Sequence, residues 1–192
     1  MKQRVWTTVS ATFSVVVALG VLALPAHGLS VDGLARPYCG LRWGSLPKQI
    51  GEGPGVPSSP LAGIRAGRHT CFDRLVFDFD GVVSGGAARY VPRVTKIAVD
   101  EPLSLRGRAF LEVALHAPSY DPDGRSTFTP RNPAEVVAVG GFRTFRQVAA
   151  GGSFEGYTTV GIGVRARLPY RVFVLRGPGS HSRLVIDVAH RW

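Results

Sequence analysis

The chain has 192 residues, of which 45% are hydrophobic, and a formal net charge of +10 at neutral pH. This length allows one domain with its own hydrophobic core, and two cysteines far apart in sequence do not suit a cysteine-based metal or redox site. Arginine supplies 20 of the 23 basic residues. Its planar guanidinium matches phosphate and carboxylate groups, although GC-rich coding also produces arginine-rich chains.

The first element in chain order is a predicted secretory signal. Lys2 and Arg4 precede an apolar run at residues 11–24, and the small residues Ala26-His27-Gly28 follow it. The run is shorter than the roughly 20 apolar residues that span a bilayer, so we predict cleavage near residue 28, with a retained membrane anchor as the alternative. Cleavage of residues 1–28 would leave 164 of the 192 residues, and the loss of two basic residues would lower the net charge from +10 to +8.

Export determines which partners and which cysteine chemistry we expect. A secreted or extracytoplasmic protein without a further membrane span meets cell-wall glycans, peptidoglycan and other anionic envelope polymers, whereas nucleic acid is a poor partner there. An even cysteine count in that compartment indicates one disulfide, Cys39–Cys71. We expect this disulfide to tether an irregular N-terminal arm and loop, residues 29–68, because the prolines and glycines of this segment disfavour helices and central strands.

Residues 69–192 have the pattern of an all-β domain. Short runs of alternating apolar and polar residues are separated by turns rich in Gly, Pro and Asp. The predicted strands are 72–80, 88–99, 108–116, 135–148, 154–165, 169–175 and 182–189. Seven short strands at this spacing predict an antiparallel β-sandwich, and the irregular, disulfide-tethered arm precedes it.

The segment 72–81 allows two interpretations. Asp78-Phe79-Asp80-Gly81 after an apolar run is similar to the nucleophile motif of haloacid dehalogenase-like phosphatases, in which the first carboxylate attacks phosphorus. The same residues also alternate as a strand, with Asp73, Leu75, Phe77 and Phe79 on one face. We favour the strand and therefore a non-enzymatic protein, because the later motifs of such phosphatases and the helices of an α/β fold are missing from the pattern.

A basic and aromatic surface is the candidate binding site. Its members are basic or aromatic residues of the last four predicted strands and their turns. They are Arg143, Arg146, Tyr157, Arg165, Arg167, Tyr170 and Arg171. Arginine beside exposed tyrosine suits anionic sugars or phosphate polymers, and a solvated sheet face is the alternative. No catalytic residue, cofactor or metal site is predicted, because the few histidines lack the tight spacing of metal ligands.

Several short segments, in the same order, resemble the AMIN-like domain of actinobacterial secreted proteins and lipoproteins. These segments are 65–69, 72–79, 152–156 together with 161–163, and 183–190, and the resemblance covers about residues 36–190. The residues that carry it are His69, Asp73, Arg74, Phe154, Glu155, Gly156, Gly161, Gly163, Asp187 and His190. The resemblance implies a β-sandwich without catalytic residues. It also implies a likeness to AMIN domains, which place cell-wall amidases and secretins at the envelope by binding peptidoglycan. A module that only binds a protein partner remains a further alternative.

Overall fold

The computed structural model describes residues 38–51 and 58–192. The predicted signal, residues 1–28, and the first part of the predicted arm therefore lie outside the described residues. Within these two ranges, no helix is long and apolar enough to cross a membrane.

In the described part of the chain, nine β-strands and one short 3-10 turn, Tyr38–Gly40, are the regular elements. The strands are β1 (Lys48–Gly51), β2 (Leu61–Arg68), β3 (Phe72–Phe79), β4 (Gly85–Val91), β5 (Ala109–Leu115), β6 (Phe145–Phe154), β7 (Tyr157–Val164), β8 (Tyr170–Arg176) and β9 (Ser182–Ala189). All hydrogen-bonded pairs are antiparallel and form two sheets, ordered β1-β4-β5-β7-β6 and β2-β3-β9-β8. The predicted all-β, antiparallel β-sandwich is confirmed.

The hydrophobic core lies between the two sheets and follows the two-residue period of the strands. On β3, Leu75, Phe77 and Phe79 are almost fully buried, and on β5 Leu111 and Val113 are buried in the same way. Successive side chains of a strand point to opposite faces, so the residues between them lie on the outer faces. The strand interpretation of residues 72–80 is therefore correct.

Three sequence predictions about element positions are wrong. Residues 48–51 and 61–68 are strands β1 and β2, although 29–68 was predicted to be irregular. Because β2 pairs with β3 along its whole length, the sandwich begins before residue 69. The strand predicted at 135–148 lies at Phe145–Phe154, and the one predicted at 88–99 lies at Gly85–Val91.

The predicted disulfide Cys39–Cys71 is present and joins the arm to the loop between β2 and β3. Two further contacts fix the arm. Gly44 forms an isolated antiparallel bridge with Tyr170, and the ring of Trp43 lies 5.9 Å from that of Phe72. The arm is thus tethered to the four-stranded sheet at the start of β3 and β8.

Candidate functional site

A cluster of arginines lies where three neighbouring strands of the five-stranded sheet meet at one end. Ala109 at the start of β5 pairs with Val164 at the end of β7, and Val164 pairs with Phe145 at the start of β6. This register brings together arginines that lie at or close to these strand ends. We call Arg108, Arg146, Arg165 and Arg167 the basic end.

The basic end contains two open depressions that share one arginine. The central depression, of about 490 Å³, is lined by Gly107, Arg108, Arg146 and Arg165. The lateral depression, of about 360 Å³, lies beside it. Its lining includes Arg108, Arg167, Tyr90, Val91, Pro92 and Phe110. Arg108 therefore lines both depressions.

Neutral carbonyl groups hold two of the three arginines of the central depression. Nη1 of Arg146 donates to the carbonyl oxygens of Phe142 and Phe145, at 3.2 and 2.9 Å, and Nη2 of Arg165 donates to the carbonyl oxygen of His190. The side chain of Arg108 makes no hydrogen bond or ion pair with the described residues. Among these residues, no carboxylate oxygen lies within 4.0 Å of a guanidinium nitrogen of the basic end, so its positive charge is not neutralised locally.

Aromatic rings extend the cluster on both sides. The guanidinium of Arg167 lies 5.1 Å from the ring centre of Tyr90, and its Nη2 donates to the carbonyl oxygen of Ser45 at 3.1 Å. Burial raises the pKa of Tyr90 to about 12, so this phenol stays neutral beside the arginine. On the other side, Arg68 lies 5.9 Å from the ring centre of Phe142.

One acidic side chain marks the border of the central depression. Glu135 accepts a 2.6 Å hydrogen bond from Nη1 of Arg106, whose Nη2 donates to the carbonyl oxygen of Arg146 at 3.1 Å. The charge of Glu135 is thus paired with Arg106 and not with an arginine of the basic end.

Two glycines of β7 make room for the segment that carries Arg108. A Cβ atom at Gly163 would lie 1.8 Å from the carbonyl oxygen of Arg106, and one at Gly161 would lie 2.8 Å from Cδ1 of Leu105. The side chain of Gln147 fixes the same segment, because its Oε1 accepts from the backbone N–H of Arg106 at 2.7 Å. Gly163 therefore allows the close backbone approach that brings Arg108 to the end of the sheet, and Gly161 leaves room for the side chain of Leu105.

Three of the seven predicted surface residues belong to the basic end, namely Arg146, Arg165 and Arg167. Arg143 is exposed in the turn that leads into β6. Arg108 was missed, because its proximity depends on the register of β5 with β7. The signal that could have found it is its position directly before β5, opposite the end of β7.

The structure does not place the other three predicted residues on this surface. Tyr170 is fully buried, and its hydroxyl contacts the carbonyl oxygens of Leu46 and Ala88, at 2.8 and 2.7 Å. Tyr157 lies at the opposite end of β7 from Arg165. Arg171 lies on the outer face of the other sheet. These three residues therefore lie apart from the basic end.

The motif residues Arg74 and Asp187 form an ion-pair cluster with Arg171 on the outer face of the four-stranded sheet. Asp187 has a fully buried side chain and accepts 2.7 Å hydrogen bonds from Nε of Arg74 and from Nε of Arg171. The hydrogen bond to Asp187 raises the pKa of Arg74 above its ordinary value. The two guanidiniums also lie 5.6 and 4.9 Å from the ring centre of Phe173. The cluster links β3, β9 and β8.

Two other motif residues, Asp73 and His190, form a buried polar network. Oδ2 of Asp73 accepts from the backbone N–H and the hydroxyl of Thr144, at 2.6 and 2.8 Å. Its Oδ1 lies 3.2 Å from Nε2 of His190, whose Nδ1 lies 3.1 Å from the carbonyl oxygen of Thr70. Since the carbonyl oxygen of His190 accepts from Arg165, this network also supports the basic end.

The remaining motif residues stabilise turns. Glu155 and Gly156 have φ values of 47° and 82° and form the two-residue hairpin between β6 and β7. Two positive φ angles are typical of a type I′ turn, for which glycine is favoured. Phe154 precedes this turn and is exposed, and His69 stacks on Phe72 at the hairpin between β2 and β3.

The carboxylates of the alternative phosphatase interpretation do not converge. Oδ2 of Asp78 pairs with Nε of Arg65 at 2.8 Å. The side chain of Asp80 is 78% exposed, and its Oδ1 lies 3.4 Å from Nδ1 of His181. Both carboxylates belong to an antiparallel strand and its turn, and nothing in the fold supports a phosphatase. In the described residues, no group of three or more His, Cys, Asp and Glu side chains could hold a metal ion.

Comparison with known proteins gives one match. The sequence model of the AMIN-like domain family matches residues 59–190, which include β2 to β9 and the basic end. No curated protein and no solved structure matches the chain.

Proposed function

Because this chain belongs to the AMIN-like domain family, we propose that it is a non-enzymatic, extracytoplasmic module that binds an anionic polymer of the cell envelope through its basic end. The observation that carries this proposal is the absence of any carboxylate within 4.0 Å of these four arginines in the described residues. Anionic groups of a polymer would supply the missing counter-charges.

The charge distribution of the rest of the sandwich supports this location. Several exposed or half-buried arginines elsewhere are paired with a carboxylate, as Arg65 is with Asp78 and Arg89 is with Glu112. Their charges are largely cancelled at short range. Other described arginines, such as Arg131 and Arg176, also lack a carboxylate partner, and the basic end differs from them in gathering four such arginines around two adjacent depressions. Carbonyl groups hold three of the four, Arg146, Arg165 and Arg167, without cancelling their charge.

The proposed location outside the cytoplasm rests on two observations. The disulfide Cys39–Cys71 is the kind of crosslink that persists in oxidising compartments. The segment 1–28 has the pattern of a cleaved secretory signal. Envelope glycans, including peptidoglycan, carry carboxylates or phosphates that a positively charged surface attracts.

Sedimentation with isolated cell wall tests the proposal. Purified residues 29–192 would be mixed with wall at increasing salt, and we expect retention that decreases as salt screens the charges. The double variant Arg108→Gln/Arg146→Gln should lose most of this retention. The matched control Arg131→Gln/Arg176→Gln removes the same charge from two exposed arginines outside the basic end, and it should retain the binding. Absence of retention at low salt, or equal loss in both variants, would contradict the proposal.

A further inference from the structure

We propose that the central depression binds a phosphate group and that its natural ligand is a linear polymer with repeated phosphodiester groups. This inference rests on the proposed function and names the chemical class that the same surface recognises.

The donors of the central depression come from three different segments of the chain. Arg108 precedes β5, Arg146 lies in β6, and Arg165 follows β7. A carboxylate has two oxygens in one plane, and a single guanidinium can bind both of them. A phosphate group has oxygens in a tetrahedral arrangement and can therefore accept from donors on several sides. Three guanidiniums around one depression suit phosphate better than carboxylate.

Two of these donors are already fixed before a ligand arrives. Arg146 uses Nη1 for the carbonyl oxygens of Phe142 and Phe145, which leaves Nε and Nη2 free to donate. Arg165 uses Nη2 for the carbonyl oxygen of His190, which leaves Nε and Nη1. Such preorganisation lowers the entropy cost of binding. Because the acceptors are neutral, the positive charge remains available to an anion.

The lateral depression indicates a ligand with more than one anionic group. Arg108 lines both depressions, and Arg167 lines the lateral one above the ring of Tyr90. Two adjacent cationic depressions that share an arginine suit successive phosphate groups of one chain. A free phosphate ion would occupy only one of them, so the arrangement favours a polymer.

Two exposed apolar side chains lie near Arg167, so a lipid membrane is the alternative ligand that the experiment must distinguish from a polymer. Leu46 and Trp192 are 72% and 70% exposed. Leu46 follows Ser45, whose carbonyl oxygen accepts from Arg167, and Nε1 of Trp192 donates to the carbonyl oxygen of Arg167 at 3.3 Å. Both residues thus lie near Arg167, which lines the lateral depression and not the central one.

Binding assays with defined probes test the inference. The probes are a glycerol phosphate oligomer, inorganic phosphate, polyglutamate of equal charge, and vesicles of phosphatidylglycerol and phosphatidylcholine in equal amounts. At one salt concentration, we expect the oligomer to bind about tenfold or more tighter than polyglutamate, and inorganic phosphate to compete weakly.

Equal binding of polyglutamate together with retention on cell wall would overturn the inference and leave the proposed function intact. Tighter binding to vesicles than to the oligomer would overturn it in favour of a membrane ligand. Absence of binding to every probe and to cell wall would overturn both proposals.

Variants identify the site independently of the choice of probe. Arg108→Gln is the central variant, because its side chain makes no bond within the described residues and its loss should not affect folding. A hydrogen bond to a charged group contributes enough that its removal should weaken oligomer binding about tenfold. Arg165→Lys keeps the charge but loses the fork, so it should reduce the preference for the oligomer over polyglutamate. Arg176→Gln, at the opposite end of the sandwich, should change neither. An unchanged affinity in Arg108→Gln would overturn the site.

Discussion

Oδ1 of Asp73 lies 3.2 Å from Nε2 of His190, although the two residues are 117 positions apart in the chain. The contact joins the first residues of β3 to the residue after β9 inside the sandwich. Both residues are among those that carry the resemblance to the AMIN-like domain, and their contact fixes the end of the four-stranded sheet.

Replacement of Asp73 by alanine should destabilise the protein by about 2–4 kcal/mol. The backbone N–H and the hydroxyl of Thr144 would lose their acceptor, and His190 would lose its partner, all in a buried location. Urea unfolding of the wild type and the variant measures the difference. Asp80→Ala is the control, because Asp80 is exposed, and its midpoint should not change. Equal midpoints for the wild type and Asp73→Ala would contradict this assignment.

Asp187→Asn should destabilise the protein by about 2–4 kcal/mol, because two guanidiniums would then face each other without a counter-charge. The side chain of Asp187 is fully buried, and Arg74 and Arg171 are only partly exposed. Thermal and urea unfolding measure the effect. The additional change Arg171→Leu should restore part of the stability by removing one of the unpaired cations. If the double variant were clearly less stable than Asp187→Asn, the charge-based explanation would be contradicted.

Reduction of Cys39–Cys71 should lower the free energy of unfolding by about 3–4 kcal/mol. The crosslink joins residues 32 positions apart, and a loop of this size limits the entropy of the unfolded chain by this amount. Urea unfolding with and without reductant measures the loss. The variant Cys39→Ser/Cys71→Ser should unfold like the reduced wild type and should not respond to reductant. If reductant still lowered the stability of this double variant, the loss in the wild type would not come from the Cys39–Cys71 disulfide.

Alkaline pH should destabilise the protein through Tyr90 and Tyr170. Burial raises the pKa of each phenol to about 12 in the folded state, against 10.0 for an unperturbed phenol. The folded state therefore binds these protons more tightly than the unfolded state, so their contribution to stability is complete below about pH 10 and is lost as the pH rises towards 12. Ultraviolet titration should show that two of the five tyrosines ionise late. Tyr90→Phe should remove one of these late steps, and an unchanged number of late steps in this variant would contradict the assignment.

The sequence predicts a strand correctly where the strand has its own alternating pattern of side chains. In the segment 182–189, Leu184, Ile186 and Val188 alternate with Arg183, Val185 and Asp187, and β9 has the predicted bounds. The strand β2 contains Gly63 and Gly67 and few strong strand formers, so its strand conformation depends on pairing with β3. The pattern of one strand cannot show such a partner.

The basic end could be predicted only in part for a related reason. Arg165 and Arg167 are neighbours in sequence and are easily recognised as a cluster. Arg108 joins them through strand register and through the close approach permitted by Gly163, neither of which a single sequence reveals. The burial of Tyr170 could have been predicted, because it alternates in phase with the apolar Val172 of the same strand.

Gly163→Ala should weaken polymer binding without removing any charged group. A methyl group at this position would lie 1.8 Å from the carbonyl oxygen of Arg106, so the segment that carries Arg108 must move away from the end of β7. We expect a loss of stability of roughly 1–3 kcal/mol from this overpacking, together with a loss of retention on cell wall similar to that of Arg108→Gln.

Sedimentation at a temperature at which the variant is folded, as judged by circular dichroism, separates the two effects. Gly140→Ala is the matched control, because a Cβ atom there would meet no atom within 4 Å, and it should leave both stability and binding unchanged. If a folded Gly163→Ala variant were retained on cell wall as strongly as the wild type, the position of Arg108 would not determine polymer binding.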